Sequence, residues 1–320
     1  MKFVIEKPKH LSPSTINSFI AYRSQWFMGK ILGKRSPGNP AMFRGTSVED
    51  GINYFIAHRS KADWGSNTVS PDIVDQSVKK AKATFAMKCA ECDSNPDFLM
   101  PSIEKCVRKA IDHFVPIWKN TIPICQQAIQ TMLDGVKTPV IGYLDYSMPG
   151  VIQDLKVSAK TPSKCQETGG YVLPQNYILQ GAIYQHATSL PVEFHYCIPL
   201  KTATNIVIAN LTDKDYEWGL AYATLAAQKI ELIYDTLEKP WAFQTEQDIG
   251  EVFAAMAFPS MDAFWDEKER ELAAKVWSIP IKGQVTMPYS MPEVPKDSPL
   301  NKIWAKKPEP KKPANPFFQT

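Results

Sequence analysis

VIGYLDYSMPGVIQDLKVSAK, residues 140–160, is the stretch on which the fold turns. Val140 to Ser147 and Val151 to Ser158 are rich in β-branched and aromatic residues. Between them Met148-Pro149-Gly150 supplies a turn, with Pro fixing φ and Gly permitting positive φ, so the stretch reads as a β-hairpin. In the second strand the two-residue period sends Ile152, Asp154 and Lys156 to one face and Val151, Leu155 and Val157 to the other. Asp145, near the end of the first strand, lies across the hairpin and can share a cation with Asp154 if the strands diverge there.

Two carboxylates and an ammonium on one hairpin suit hydrolysis of a phosphodiester. Carboxylate oxygens hold Mg²⁺ through one or two protein ligands and leave positions for phosphate and water. The cation then acts as a Lewis acid, while a neighbouring ammonium orients water or stabilises charge developing on phosphate. D-x-K alone is equally an exposed ion pair on an ordinary hairpin, because so short a motif recurs widely.

Three further stretches accompany it: LSPSTINSFIAYRSQWF (Leu11 to Phe27), RGTSVEDGI (Arg44 to Ile52) and NYILQGAIYQHA (Asn176 to Ala187) with its Q-x-x-x-Y. In this order, with G-x-x-D and D-x-K (Gly142, Asp145, Asp154, Lys156), the chain resembles the RecB-type nucleases of the PD-(D/E)XK superfamily. That group includes the phage lambda-type exonucleases, and the resemblance spans roughly Leu11 to Ala187. It implies an α/β fold, a restriction-endonuclease-like mixed central sheet flanked by helices. It implies Mg²⁺ or Mn²⁺ held by Glu49, Asp145, Asp154 and the Leu155 carbonyl. Lys156 would position or activate the water, with Gln180 and Tyr184 at the scissile phosphate. Ser14, Tyr22, Arg23, Arg44 and Lys160 would lie along the DNA path, and Trp26 either lies there or packs as part of an amphipathic helix.

The implied activity is metal-dependent DNA exonuclease action in recombination, repair or phage DNA processing. An endonuclease of the same superfamily, or a noncatalytic nucleic-acid-binding protein on a degenerate nuclease fold, are the rivals. RecB-type nucleases usually carry histidine in G-T-x-x-H where Glu49 stands, whereas lambda-type relatives place a glutamate on that helix. Thr46-Ser47-Val48-Glu49 also fits a capping box, which would make Glu49 a helix cap and Asp50 the substitute ligand. Some relatives hold an iron-sulfur cluster, but Tyr22 stands where its first cysteine is expected and no cysteine follows Cys197. No cluster is expected. Cys89-Ala-Glu-Cys92 lacks the second pair of a tetrahedral metal site.

The 320 residues suffice for one elaborated domain or two small ones. No run of about 18 apolar residues exists, and MKFVIEKPKH lacks a signal-peptide core, so a cytoplasmic protein without a membrane partner is expected. The net charge of +3 divides unevenly: residues 1–35 carry seven Lys/Arg against one Glu, and residues 296–320 six Lys against two acids. Basic ends around an acidic centre suit a DNA partner and a cation-binding site.

Elsewhere, Ser12-Pro13 opens a helix expected to reach Trp26, and Ser47 to Arg59 reads as a second. Residues 61–120 read as a helical insertion, with helices over Asp72 to Cys89 and Ser102 to Lys119, where His113 is a packing or surface residue rather than a base. Strands are expected over Ile122 to Leu133, Val192 to Leu200 and Asn205 to Leu211, and helices over Pro174 to Ser189, Asp213 to Glu238, Gln247 to Met256 and Met261 to Trp277. On the first of these helices Tyr177, Gln180 and Tyr184 share one face, either toward the hairpin's chemistry or as a buried pair holding helix to sheet. The domain is taken as residues 1–279. Nine of the 26 prolines fall between Pro280 and Pro316, so residues 280–320 read as a Pro/Lys-rich tail suited to docking a recombination or single-strand-binding protein.

Overall fold

The computed structural model describes residues 5–34, 38–60, 64–65, 68–166, 169–201, 203–238, 245–257 and 267–277, the side chains of 267–269 excepted. The tail assigned to 280–320 lies outside them. Its centre is one five-stranded mixed sheet in the order β1-β2-β3-β4-β5, formed by β1 (Ile124–Thr131), β2 (Val140–Met148), β3 (Val151–Val157), β4 (Val192–Pro199) and β5 (Thr204–Asn210). All neighbours run antiparallel except β3 and β4. That parallel pair needs a crossover, which α6 (Gln175–Thr188) supplies. Gly150 makes the β2–β3 turn at φ +83, as the hairpin reading requires.

One face of the sheet is covered by α3 (Pro40–His58), α4 (Pro71–Glu91) and α5 (Met100–Ile117). Val48, Ile52, Phe55, Phe85, Val107, Phe114 and Trp118 form a single buried cluster with Tyr146, Leu155 and Cys197 of the sheet. The stretch read as a helical insertion is thus a layer of the core. Gly51 permits the close approach of α3 and α4, since a Cβ there would lie 3.0 Å from both Ala81 and the Ser77 carbonyl. His113 on α5 is partly buried and shares a 2.9 Å hydrogen bond with His195 Nδ1 of β4.

The other face carries α6, with Leu144, Ile152, Phe194, Tyr196 and Ile198 beneath it. Outside α6 lie α1 (Pro13–Ala21) and α7 (Asp213–Leu237), then α2 (Arg23–Lys30), α8 (Glu246–Met256) and α9 (Glu267–Trp277). Ser12 Oγ accepts from Thr15 N at 3.1 Å and Pro13 fills the first turn, so α1 starts where expected. The helix expected to run unbroken to Trp26 instead breaks at Tyr22, whose φ of −144° and ψ of 67° are not helical. Trp26 is 2 % exposed and sits edge-on to Phe19 and Tyr234, with ring centroids at 5.0 and 6.0 Å. It is a packing residue and not a wall of the DNA path.

The start of α3 also differs. Asn39 caps it by accepting from Met42 N at 3.0 Å, and Pro40 takes the first helical position. Gly45 made Arg44-Gly45-Thr46 look like a loop, but an isolated glycine inside a helix is tolerated. Glu49 therefore lies mid-helix, and the capping-box reading of Thr46 to Glu49 does not hold. The remaining strands and helices start and end close to their expected positions, although 261–266 lies outside the described residues.

Candidate active site

The site forms where the hairpin comes apart. β2 and β3 pair only from Tyr146↔Gln153 to Met148↔Val151. Beyond this the Leu155 N–H donates to Asp145 Oδ2 at 3.1 Å rather than to the β2 backbone. N–H and C=O of one strand residue project to the same side, so the Leu155 carbonyl also faces the opening. Beside the first half of β2, Leu11 takes the place that β3 has left: its N–H donates to the Pro139 carbonyl and its carbonyl accepts from Ile141, both at 2.9 Å.

Asp154 is fully buried. Lys156 Nζ lies 2.6 Å from Asp154 Oδ1 and donates to Gln180 Oε1 at 3.2 Å. The Gln180 amide donates to Asp154 Oδ2 at 3.2 Å and to the Tyr184 hydroxyl at 2.9 Å, and that hydroxyl donates to the Tyr143 carbonyl at 2.9 Å. The ammonium also stands 4.9 Å from the centre of the Tyr177 ring, a cation–π contact. Gln180 and Tyr184 thus meet the D-x-K strand directly. The glycine of G-x-x-D is required here: a Cβ at Gly142 would fall 2.8 Å from Tyr184 Cε1.

Glu49 reaches the same place from α3 and accepts a hydrogen bond from Gln126 Nε2. Burial, then repulsion from Asp154, pushes its pKa up to about 7. Burial, then Asp154, likewise lifts Asp145 well above the usual carboxylate range, with Glu49 adding to the repulsion. Asp50, next to Glu49 on α3, adds to the repulsion that raises its pKa. Burial works against the charge of Lys156, but Asp154 and Asp145 outweigh it and hold the ammonium's pKa above that of an ordinary lysine.

Among the described residues no three His, Cys, Asp or Glu side chains stand in a ready metal-holding arrangement. Each carboxylate is engaged by the protein instead: Glu49 by Gln126, Asp145 by Leu155, Asp154 by Lys156 and Gln180. The donor set nonetheless fits a hard divalent cation. Three mutually repelling carboxylates are costly without a neutralising charge, and Asp154 Oδ1, although beside Lys156, receives no hydrogen bond of acceptable geometry.

A groove of about 980 Å³ adjoins these residues, lined by Ser14, Asn17, Tyr22, Met42, Gln180 and Tyr184 among others. Ser14 and Tyr22 therefore stand beside the site, and Lys160 is exposed just past β3. Arg23 is partly buried, with no partner for its Nε. Arg44 is 6 % exposed and lies inside the helical layer, where its charge lowers the pKa of the Cys106 thiol after the hydrogen bond from Cys197. So enclosed, its guanidinium does not present to a phosphate, which corrects its expected place on the DNA path. Gln126 and the Tyr143 carbonyl were missed: a glutamine in a strand carries no signal, and a carbonyl contact leaves none in side-chain identity.

No protein-family model matches the chain, and no curated protein matches it. Among solved structures it is similar to a "Putative exonuclease" from Eubacterium rectale, at 18 % identity over 76 % of this chain and 88 % of that one, with a TM-score of 0.49. It is also similar to SSO0001, at 12 % identity over 59 % of this chain and 84 % of that one, with a TM-score of 0.29.

Proposed function

We propose that this chain is a Mg²⁺- or Mn²⁺-dependent DNA exonuclease. The observation that carries the proposal is the closed network of Asp154, Lys156, Gln180 and Tyr184, built where β2 and β3 part and faced by Asp145 and Glu49. A structural ion pair needs none of the surrounding carboxylates, whereas phosphodiester hydrolysis uses both the acidic cluster and the ammonium.

Asp145, Asp154, Glu49 and the Leu155 carbonyl would hold the divalent cation, which supplies Lewis acidity toward phosphate and water. With its pKa raised, Lys156 stays an ammonium at neutral pH, so it orients the attacking water and stabilises charge on phosphate by donating hydrogen bonds. Burial keeps the Tyr184 hydroxyl protonated, and Gln180 ties it to Lys156. Together they fix the height of the phosphate above the strand. Water adds across the P–O bond, leaving a phosphate on one product and a hydroxyl on the other.

The test is digestion of end-labelled linear and circular DNA with Mg²⁺, Mn²⁺ or EDTA, comparing the intact chain with folded Lys156→Ala and Asp154→Ala variants. Metal-dependent loss of end label from linear DNA alone, abolished in both variants, is expected. Cleavage of circles identifies an endonuclease instead. No cleavage by the intact chain, or equal cleavage by the variants, sinks the catalytic assignment.

A further inference from the structure

The outer face of α7 carries a feature that the nuclease chemistry does not use. Gly219, Ala223, Ala227, Ile230 and Ile233 bury its inner face, yet Trp218, Leu225 and Leu232 on the outer face are 46 %, 63 % and 58 % exposed. They recur every seventh residue, and at 1.5 Å per residue they form an apolar seam about 21 Å long. Single exposed apolar residues are ordinary, but three aligned on one face of a helix make a surface that a second helix can cover.

The pattern is self-complementary. Trp218 and Leu232 lie seven residues on either side of Leu225. About a two-fold axis at Leu225, an antiparallel second copy sets Trp218 against Leu232 twice and Leu225 against itself. Lys214 and Asp235 bracket the seam with opposite charges, eleven residues before and ten after Leu225. Antiparallel pairing therefore joins Lys214 to Asp235 at both ends, whereas parallel pairing sets each against its own kind. Asp235 already meets Lys7 at 2.9 Å, but its side chain stays 47 % exposed and open to a second cation.

We infer that α7 is a self-association surface, and that two copies of this chain pair antiparallel along Trp218, Leu225 and Leu232. Three knobs make an interface at the small end of the specific range, so the dimer is reversible, with a Kd on the order of 10–100 μM. Sedimentation equilibrium of the full chain reads it, with circular dichroism confirming the fold of every variant. The intact chain is expected to pass from monomer to dimer with concentration, and Leu225→Glu, or the milder Leu225→Ser, to weaken pairing at least tenfold. Lys214→Asp weakens it, and adding Asp235→Lys to that variant restores it. An intact chain still monomeric at about 0.5 mM overturns the inference. So does a dimer indifferent to both Leu225 variants, and so does a monomer whose seam binds some other protein.

Discussion

Gln126 stands opposite Asp145 in the β1–β2 ladder and does not pair with it. Its neighbours do, Cys125 with Tyr146 and Gln127 with Leu144. At φ +51 Gln126 leaves the extended conformation and sends its amide to Glu49. Left-handed backbone is costly for a side-chain-bearing residue and nearly free for glycine. Gln126→Gly sheds that strain and the hydrogen bond to Glu49, whereas Gln126→Ala sheds only the hydrogen bond, so the glycine variant is expected to be the more stable of the two by about 0.5–1 kcal/mol in urea unfolding. Under the proposed function the nuclease rate of either variant is expected to fall about tenfold, the equivalent of one hydrogen bond to a charged group. Gln126→Ala keeps the strain and loses the amide, so it loses rate without gaining stability.

Asp154 has no exposure, and Lys156 is its charge partner. Lys156→Ala strands a buried carboxylate and is expected to cost about 3–5 kcal/mol in denaturant unfolding. Lys156→Met with Asp154→Asn removes both charges and recovers most of that loss. Nuclease rate stays down by at least about 10²-fold in each. Stability and activity thus separate, and a double variant that remained as unstable as the single would show the pair was not the cause.

Tyr184 cannot easily move away from β2, because its hydroxyl is tied to the Tyr143 carbonyl and to Gln180. Gly142→Ala places a methyl 2.8 Å from the Tyr184 ring and is expected to cost about 1–3 kcal/mol. The same substitution made in a Tyr184→Ala background costs much less. Thermal unfolding of the four-variant cycle measures this coupling directly.

Glu231 on α7 is 7 % exposed and accepts from the backbone N–H of Lys137 and of Thr138 and from the Thr138 hydroxyl, with Lys7 Nζ at 3.4 Å. Burial pushes its pKa up, but these donors and Lys7 outweigh burial and leave it below the usual value. A depressed folded pKa contributes stability that is complete above the unfolded value and is lost as pH falls through the folded one. Glu231→Gln is expected to lose about 1–3 kcal/mol at pH 7. Its disadvantage narrows as pH drops below about 4.3, a convergence that urea midpoints between pH 7 and 3 will reveal.

The hairpin was legible because periodicity and turn chemistry are local, and Asp154, Lys156 and Gln180 inherited their places from strand and helix periods. Sequence could not reveal that β3 leaves β2 after Gln153, because strand divergence depends on where Leu11 and β4 lie. The same limit applies to Arg44. The arginine that opens R-G-T looks solvent-facing until α3 is seen to begin at Pro40 and to turn that side inward. Trp26 stayed open between packing and the DNA path for a related reason, since its partners Tyr234 and Phe253 lie more than 200 residues along the chain. Gln126 was invisible because a positive φ within a strand leaves no mark in composition.

The acidic cluster draws on two kinds of sequence distance. Asp145, Asp154, Lys156, Gln180 and Tyr184 belong to one compact run of hairpin and crossover, so they can assemble early in folding. Glu49 comes from α3, with α4, α5 and β1 between it and the hairpin, so bringing it in closes a long loop at a greater entropic cost. With α3 lifted from the sheet, the lysine network would stand without its third carboxylate. The proposed chemistry is thereby tied to the seating of the helical layer on the sheet, since the hairpin and its crossover helix do not by themselves hold all three acids.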